Sequence, residues 1–174
     1  MSFGTLVSTM DLSKVETVEL PPPACDGRIP TMNNRGFMTV GNDEISQMFI
    51  EYAAKCSKPV LDGGAAYGVA TIAALKKGAT VIANDSSNNH LNYIIKSPEL
   101  TDDDRKRLYI LPGLLPNDFD LPENSLGAIH LSRVLHFFHP ADFDEMFAKA
   151  KKWLAPGGHF LLDCYVTMAL CCSR

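Results

Sequence analysis

The 174-residue chain contains no apolar run approaching the ~20 residues that a bilayer-spanning helix needs. Its N-terminus has no charged segment followed by an apolar core, so the reading is a cytoplasmic protein with no membrane partner. Positive charge is also scarce. Lys and Arg number 16 against 20 Asp and Glu, and the net charge of -4 argues against an obligatory nucleic-acid partner. The basic strip Arg105-Lys106-Arg107 is too short to reverse that balance and reads as a solvated helix end. Cys25, Cys56, Cys164, Cys171 and Cys172 show neither even pairing nor metal-ligand spacing and read as reduced thiols. The ending Cys-Cys-Ser-Arg is a poor prenylation box. Side chains of the acidic run Asp102-Asp103-Asp104 diverge around a helix, so a solvated face or a cap is expected and no metal. There are no repeats and no second domain. With 46% hydrophobic and 21% charged residues, the chain can bury one ordinary core.

Residues 1–40 lack periodicity and include Pro21-Pro22-Pro23, which favours extended backbone. They read as an N-terminal arm able to move, followed by one domain over 41–174. Ile45, Met48, Phe49, Tyr52, Ala53 and Cys56 recur at helical spacing behind Asn42 or Asp43 as cap. Short apolar strands are expected at 59–62, 79–84, 108–111, 126–131 and 159–166, with helices over 66–77, 88–96 and from Pro140 onward. The last helix should bury Phe143, Met146, Phe147, Ala150 and Leu154. Thr101 and Asp104 can cap a short helical piece. Alternating strands and helices imply a mostly parallel sheet with helices on both faces.

The segment Val60-Leu61-Asp62-Gly63-Gly64-Ala65-Ala66-Tyr67-Gly68 runs an apolar strand into a carboxylate and at once into a small-residue turn. Asp85 ends the next apolar run. Strand, glycine-rich turn, helix and acid-terminated strand together form a nucleoside grip: the turn admits backbone to the ligand, and the distal acid accepts from ribose hydroxyls. A dinucleotide would put its pyrophosphate near Asp62. At ~4 Å and an effective dielectric of about 20, two like charges repel by about 4 kcal/mol. S-adenosyl-L-methionine, which has a sulfonium and an ammonium and no phosphate, avoids that conflict. The dinucleotide pattern Gly63-x-Ala65-x-x-Gly68 also has alanine where its middle glycine belongs.

These residues resemble the class I S-adenosylmethionine-dependent methyltransferases. The family's first motif matches Asp62-Gly63-Gly64-Ala65-Ala66-Tyr67-Gly68, and the acid ending its second strand matches Asp85, followed by Ser86-Ser87. Leu121 to Ser125, Leu131 to Phe138 and Trp153 to Phe160 resemble the family's loop before the fourth strand, that strand's end, and the turn into the fifth. The resemblance implies a Rossmann-like α/β three-layer sandwich with a mostly parallel sheet, of whose usual seven strands five are recognisable. Only eight residues follow Val166, so the chain reads as truncated after the fifth strand. The bare edge this leaves could instead be covered by a homodimer. Leu114 stands where the family often has an adenine-binding Asp, and Leu126-Gly127 where its fourth strand often begins Phe-Asp.

The cofactor site implied by the resemblance comprises Asp62, Gly64, Ala66, Gly68, Asp85, Ser86, Gly113, Leu114 and Ser132. Asp62 would take the methionine ammonium, or else cap the following helix; the two glycines would admit the ligand or simply shape the turn. Methyl transfer from sulfonium needs alignment and no protein nucleophile. A base is needed only if the acceptor must lose a proton, and His136 is the candidate with His139 in reserve. Beside Phe137 and Phe138, His136 can equally be a packed amphipathic residue. His130, in mid-strand, reads as structural. The expected activity is methyl transfer to a small-molecule acceptor. The alternative is a non-catalytic or truncated S-adenosylmethionine-binding regulatory protein without a complete acceptor pocket. A nicotinamide oxidoreductase is the third and weakest reading.

Overall fold

A computed structural model describes residues 2–38 and 41–163. In chain order the elements are β1 (Thr5–Leu6), β2 (Ile29–Pro30), β3 (Phe37–Met38), α1 (Glu44–Ala53), β4 (Val60–Gly63), α2 (Val69–Lys76), β5 (Val81–Asp85), α3 (Asn88–Lys96), α4 (Asp102–Arg105), β6 (Leu108–Pro112), β7 (Leu126–Ser132), α5 (Pro140–Trp153) and β8 (Leu154–Asp163). The main sheet has six strands in the order β1-β6-β5-β4-β7-β8. All its pairings are parallel except that of β1, which runs antiparallel to β6.

The five expected strands form this sheet, and β1 is an addition. Residues without sequence periodicity thus contribute an edge strand, and Val7 just beyond it is fully buried. The last strand differs from expectation at its start. Pairing begins at Leu126 with Leu154, is interrupted by a register shift, and resumes at Ala128 with His159. The end of that expected strand at 164–166 and the Cys171-Cys172 pair lie outside the described residues.

Side-chain alternation along the strands builds two cores, one on each face of the sheet. Val60, Val81, Ala83 and Ala128 meet Phe49, Ile50, Leu75, Leu91 and Ile94 from α1, α2 and α3. Leu61, Ile82, Ile129 and Leu131 meet Met146, Ala150 and Trp153 from α5. Helices on both faces of a central sheet make the three-layer Rossmann-like sandwich. Two expectations for α5 fail: Leu154 opens β8 instead of lying on the helix, and Phe147 is 48% exposed, its ring meeting Phe160 edge-on instead of entering the core.

The acidic run caps a helix. Thr101 and Asp104 form a capping box on α4. Asp104 accepts from the Thr101 N–H (2.9 Å), Thr101 Oγ1 (2.7 Å), Lys76 Nζ (3.0 Å) and Arg107 Nη2 (2.8 Å). Burial pushes its carboxyl up, but these bonds outweigh burial and hold it far below its ordinary value of 3.8. A depressed acid stabilises the fold fully above its unfolded pKa, and that contribution is lost progressively as pH falls from there through its folded pKa. Urea unfolding across pH 3 to 7 should therefore show Asp104→Asn destabilised by about 2 kcal/mol at neutral pH, the deficit shrinking toward pH 3.

Candidate functional site

The sheet order reverses between β4 and β7. That switch point opens a crevice at the carboxyl ends of the strands, where ligands bind in open α/β sheets. A cavity of about 460 Å³ lies there. Its walls include Gly64 and Ala66 from the turn after β4, Asp85 and Ser86 at the end of β5, and Gly113 and Leu114 after β6. His136, in the turn beyond β7, and the hairpin residues Arg35 and Phe37 complete it. A neighbouring cavity of about 100 Å³ is lined by Asp62 and Ser132, and shares Gly64, Ala66 and Arg133 with the larger one. Eight of the nine expected cofactor residues thus border two adjoining cavities.

Gly68 is the exception. It is buried, lines neither cavity, and sits at the N-terminus of α2 with φ of +78°. A Cβ there would lie 2.6 Å from Ile94 Cγ1, so its smallness serves the contact between α2 and α3. Gly64 does face both cavities. Its φ of +68° turns the chain away from β4, and a Cβ would fall 2.5 Å from Val134 Cγ2.

Asp62 and His130 are register partners on adjacent parallel strands, which brings them together on the α1 and α2 side of the sheet. Asp62 is 3% exposed and accepts from Thr71 Oγ1 at 2.6 Å and His130 Nδ1 at 2.8 Å. His130 Nε2 is 3.2 Å from Ser46 Oγ, and its ring stacks on Phe49. A carboxylate only accepts, so Nδ1 carries the proton that binds it, and Ser46 can donate to Nε2. Mid-strand position had marked His130 only as structural; register makes it the support of Asp62.

Asp85, 5% exposed, accepts from the Ala66 N–H (2.9 Å), the Ser87 N–H (2.8 Å) and His90 Nδ1 (3.0 Å). A carboxylate offers about four acceptor sites, so one remains for a ligand. His90 Nε2 accepts from the Met32 N–H at 3.1 Å, and Tyr67 Oη donates to Pro30 O at 2.7 Å. Together they tie the hairpin of β2 and β3 to the rim of the cavity. His90 carries no motif signal; its distance from Met32 along the chain concealed the link.

Beyond β6, Asn84 Nδ2 donates to Leu111 O and Gly113 O, and the Gly113 N–H donates to Asp85 O. The Leu114 N–H donates to Asp118 Oδ2 at 2.8 Å. Both backbone donors of this loop are therefore committed internally, and Leu114, 45% exposed, offers its side chain. The acid absent at Leu114 is present four residues later, where it shapes the loop.

Asp43 caps α1 through the Ser46 N–H (2.7 Å), accepts from Ser132 Oγ (3.1 Å) and lies 3.4 Å from Arg133 Nη2. Burial raises its carboxyl, but the bonds from Ser46 and Ser132 with the Arg133 charge leave it lowered. The sequence suggested a helix cap here; the additional clamp on the end of β7 is a tertiary feature. Ala66 and Arg133, at φ of +46° and +56°, are left-handed without being glycine, and both stand at the rim of the cavities. Such strain collects at functional sites. Among the described residues no group of three or more His, Cys, Asp or Glu could hold a metal, and no helix is long and apolar enough to cross a membrane.

The sequence profile of the methyltransferase domain matches residues 60–158. Among proteins of curated function, none matches the chain in sequence. Among solved structures, the glycopeptide N-methyltransferase MtfA complexed with S-adenosyl-L-methionine is similar at 27% identity and a TM-score of 0.60, over 71% of this chain and 50% of that one. MtfA has also been crystallised with S-adenosyl-L-homocysteine and with sinefungin. An S-adenosylmethionine-dependent methyltransferase from Mesorhizobium loti shares the fold at 22% identity and a TM-score of 0.54, over 68% of this chain and 49% of that one. Phosphoethanolamine N-methyltransferase 1 of Haemonchus contortus does so at 17% identity and 0.57, over 63% and 22%. The chain thus spans about half the length of MtfA or less than a quarter of the Haemonchus enzyme. With the matched profile covering more than half of its residues and its sheet folded as theirs, this chain belongs to the class I methyltransferases, the family whose cofactor is S-adenosyl-L-methionine.

Proposed function

We propose that the chain binds S-adenosyl-L-methionine across the two cavities and catalyses methyl transfer to a small-molecule acceptor. The observation that carries this reading is Asp85: a buried carboxylate at a strand's carboxyl end that lines the larger cavity, with three of its about four acceptor positions filled from within. The donor set fits the cofactor. Asp85 and Ser86 suit ribose hydroxyls, Gly113 and Leu114 present an apolar surface to adenine, and Gly64 and Ala66 bring backbone close. Asp62, held by Thr71 and His130 beside Ser132, suits an ammonium. When bound, the cofactor would supply an electrophilic methyl carbon on sulfonium, with a neutral thioether as the leaving group.

The protein's own part is alignment and exclusion of water. Val134, Phe137 and Phe138 make the wall beyond β7 apolar, and the tied hairpin meets that wall where Gly36 approaches Phe137. His136 is exposed at that wall with its ring against Phe137, within the cavity lining, where it can take a proton from a protic acceptor. His139 stands one turn further on, its Nδ1 accepting from the Ala141 N–H at 3.3 Å.

Calorimetric titration tests this reading. The chain should bind S-adenosyl-L-methionine and S-adenosyl-L-homocysteine with micromolar affinity. Asp85→Ala should weaken both by ~10- to 100-fold, the equivalent of a charged hydrogen bond. A folded sample that binds neither ligand refutes the reading. Binding without turnover against any acceptor would favour the regulatory alternative.

A further inference from the structure

We infer that the acceptor is a small molecule with an apolar body and an oxyanion, either a carboxylate or a phosphate, and that Arg35 receives that oxyanion. The inference rests on the methyl-transfer reading and adds the substrate class. The cavity wall contains Arg28, Arg35 and Arg133 against only two acids, Asp85 and Asp142. The acids are largely committed. Asp85 accepts from Ala66, Ser87 and His90, and Asp142 accepts from the His139 N–H at 3.0 Å and Asn117 Nδ2 at 3.1 Å.

Two of the arginines are committed as well. Arg28 pairs with Asp26 at 2.7 Å and lies 4.5 Å over the Phe37 ring, while Arg133 has Asp43 at 3.4 Å and Asp163 at 3.5 Å. Arg35 is exposed, lines the cavity and has no ion pair among the described residues. A chain with net charge of -4 therefore presents uncommitted positive charge at this one concavity, opposite to what its average surface would give.

Position and neighbours narrow the ligand further. Gly36 sits so that a Cβ would come 3.4 Å from Phe137 Cζ, which brings the hairpin tip carrying Arg35 against the segment of His136. Phe37 and Phe137, 47% and 46% exposed, flank the same end and offer apolar surface. Because His139 Nδ1 accepts from Ala141, the proton of its neutral ring lies on Nε2, which supplies a second donor. An arginine, a ring N–H and two phenyl groups on one cavity lining suit an oxyanion on an apolar body, and the arginine repels an ammonium.

The test uses a matched series of probes: benzoate, phenyl phosphate, benzamide and benzylamine. Each is titrated into the full chain with and without S-adenosyl-L-homocysteine. Benzoate or phenyl phosphate should bind at least tenfold tighter than benzamide, with benzylamine weakest, and the tighter anion identifies the headgroup. Arg35→Ala should remove the anion preference while leaving the affinity for S-adenosyl-L-homocysteine within twofold, and Arg35→Lys should restore part of it. Equal binding of benzoate and benzamide, or an anion preference that survives Arg35→Ala, overturns the inference. If S-adenosyl-L-homocysteine itself fails to bind, the cofactor reading falls, and the anion arm is still decided on the chain alone.

Discussion

Asp62→Asn should weaken S-adenosyl-L-methionine binding by about 100-fold and leave the fold standing. Asn keeps the shape and an oxygen that can still accept from His130 or Thr71, which now donate at 2.8 and 2.6 Å. What it loses is the charge, which the Thr71 hydroxyl and the His130 ring N–H now meet. On the proposed reading, the ammonium of the cofactor adds its charge to this pair of donors. Methylthioadenosine, which lacks the amino-acid portion, separates the two roles of Asp62. Its affinity should change by less than twofold in Asp62→Asn, whereas Asp85→Ala should weaken it along with S-adenosyl-L-methionine. Equal loss of both ligands in Asp62→Asn would mean that Asp62 shapes the turn and does not bind the ammonium. Asp62→Ala is the harsher variant, because it leaves a buried N–H and a buried hydroxyl without their acceptor at about 1–3 kcal/mol each.

Trp153→Ala should cost the fold about 4 kcal/mol and lower Tm by ~8–16 °C, the largest stability loss anticipated for a single side chain here. Trp153 is 0% exposed, stacks with Phe119 and donates from Nε1 to Asp120 Oδ1 at 2.6 Å. Asp120 also receives Lys152, and these two bonds, Lys152 first, keep its carboxyl below its ordinary value. The indole thus closes the core under α5 and pins the loop before β7 with the same ring. Trp153→Phe keeps most of the packing and removes the N–H, so it should lose only ~1.5–3 kcal/mol, the worth of a hydrogen bond to a charged group. As Trp153 is the chain's one tryptophan, unfolding is best followed by circular dichroism. A Trp153→Ala protein as stable as Trp153→Phe would show that the core on the α5 face refills the space.

The strand and helix order was legible in the sequence because both signals are local. β4 and β5 are apolar runs each closed by an acid, and α3 shows its buried face in Leu91, Ile94 and Ile95. The turn from Asp62 to Gly68 was legible for the same reason, since small residues beside an acid are a local demand of backbone and ligand. The short β1 escaped notice because two residues carry no period; their strand exists only because the edge of β6 accepts them. Phe147 misled because helical spacing fixes a face but not what covers it, and here Phe160 on the edge strand covers only its rim.

The chain by itself therefore determined the family, the parallel sheet and the two acids, Asp62 and Asp85, that stand at strand ends. Tertiary structure alone decided what those acids touch. The pairing of Asp62 with His130 follows from parallel register between β4 and β7, and the tie from Asp85 through His90 to Met32 spans the arm and the third helix. It likewise separated Gly68, which packs against Ile94, from Gly64, which faces the cavity, although the motif treats the two alike. The physical reason is range. Propensity and turn geometry act over a few residues and are written in neighbours, whereas hydrogen bonds between distant segments depend on a register that only the packed sheet sets.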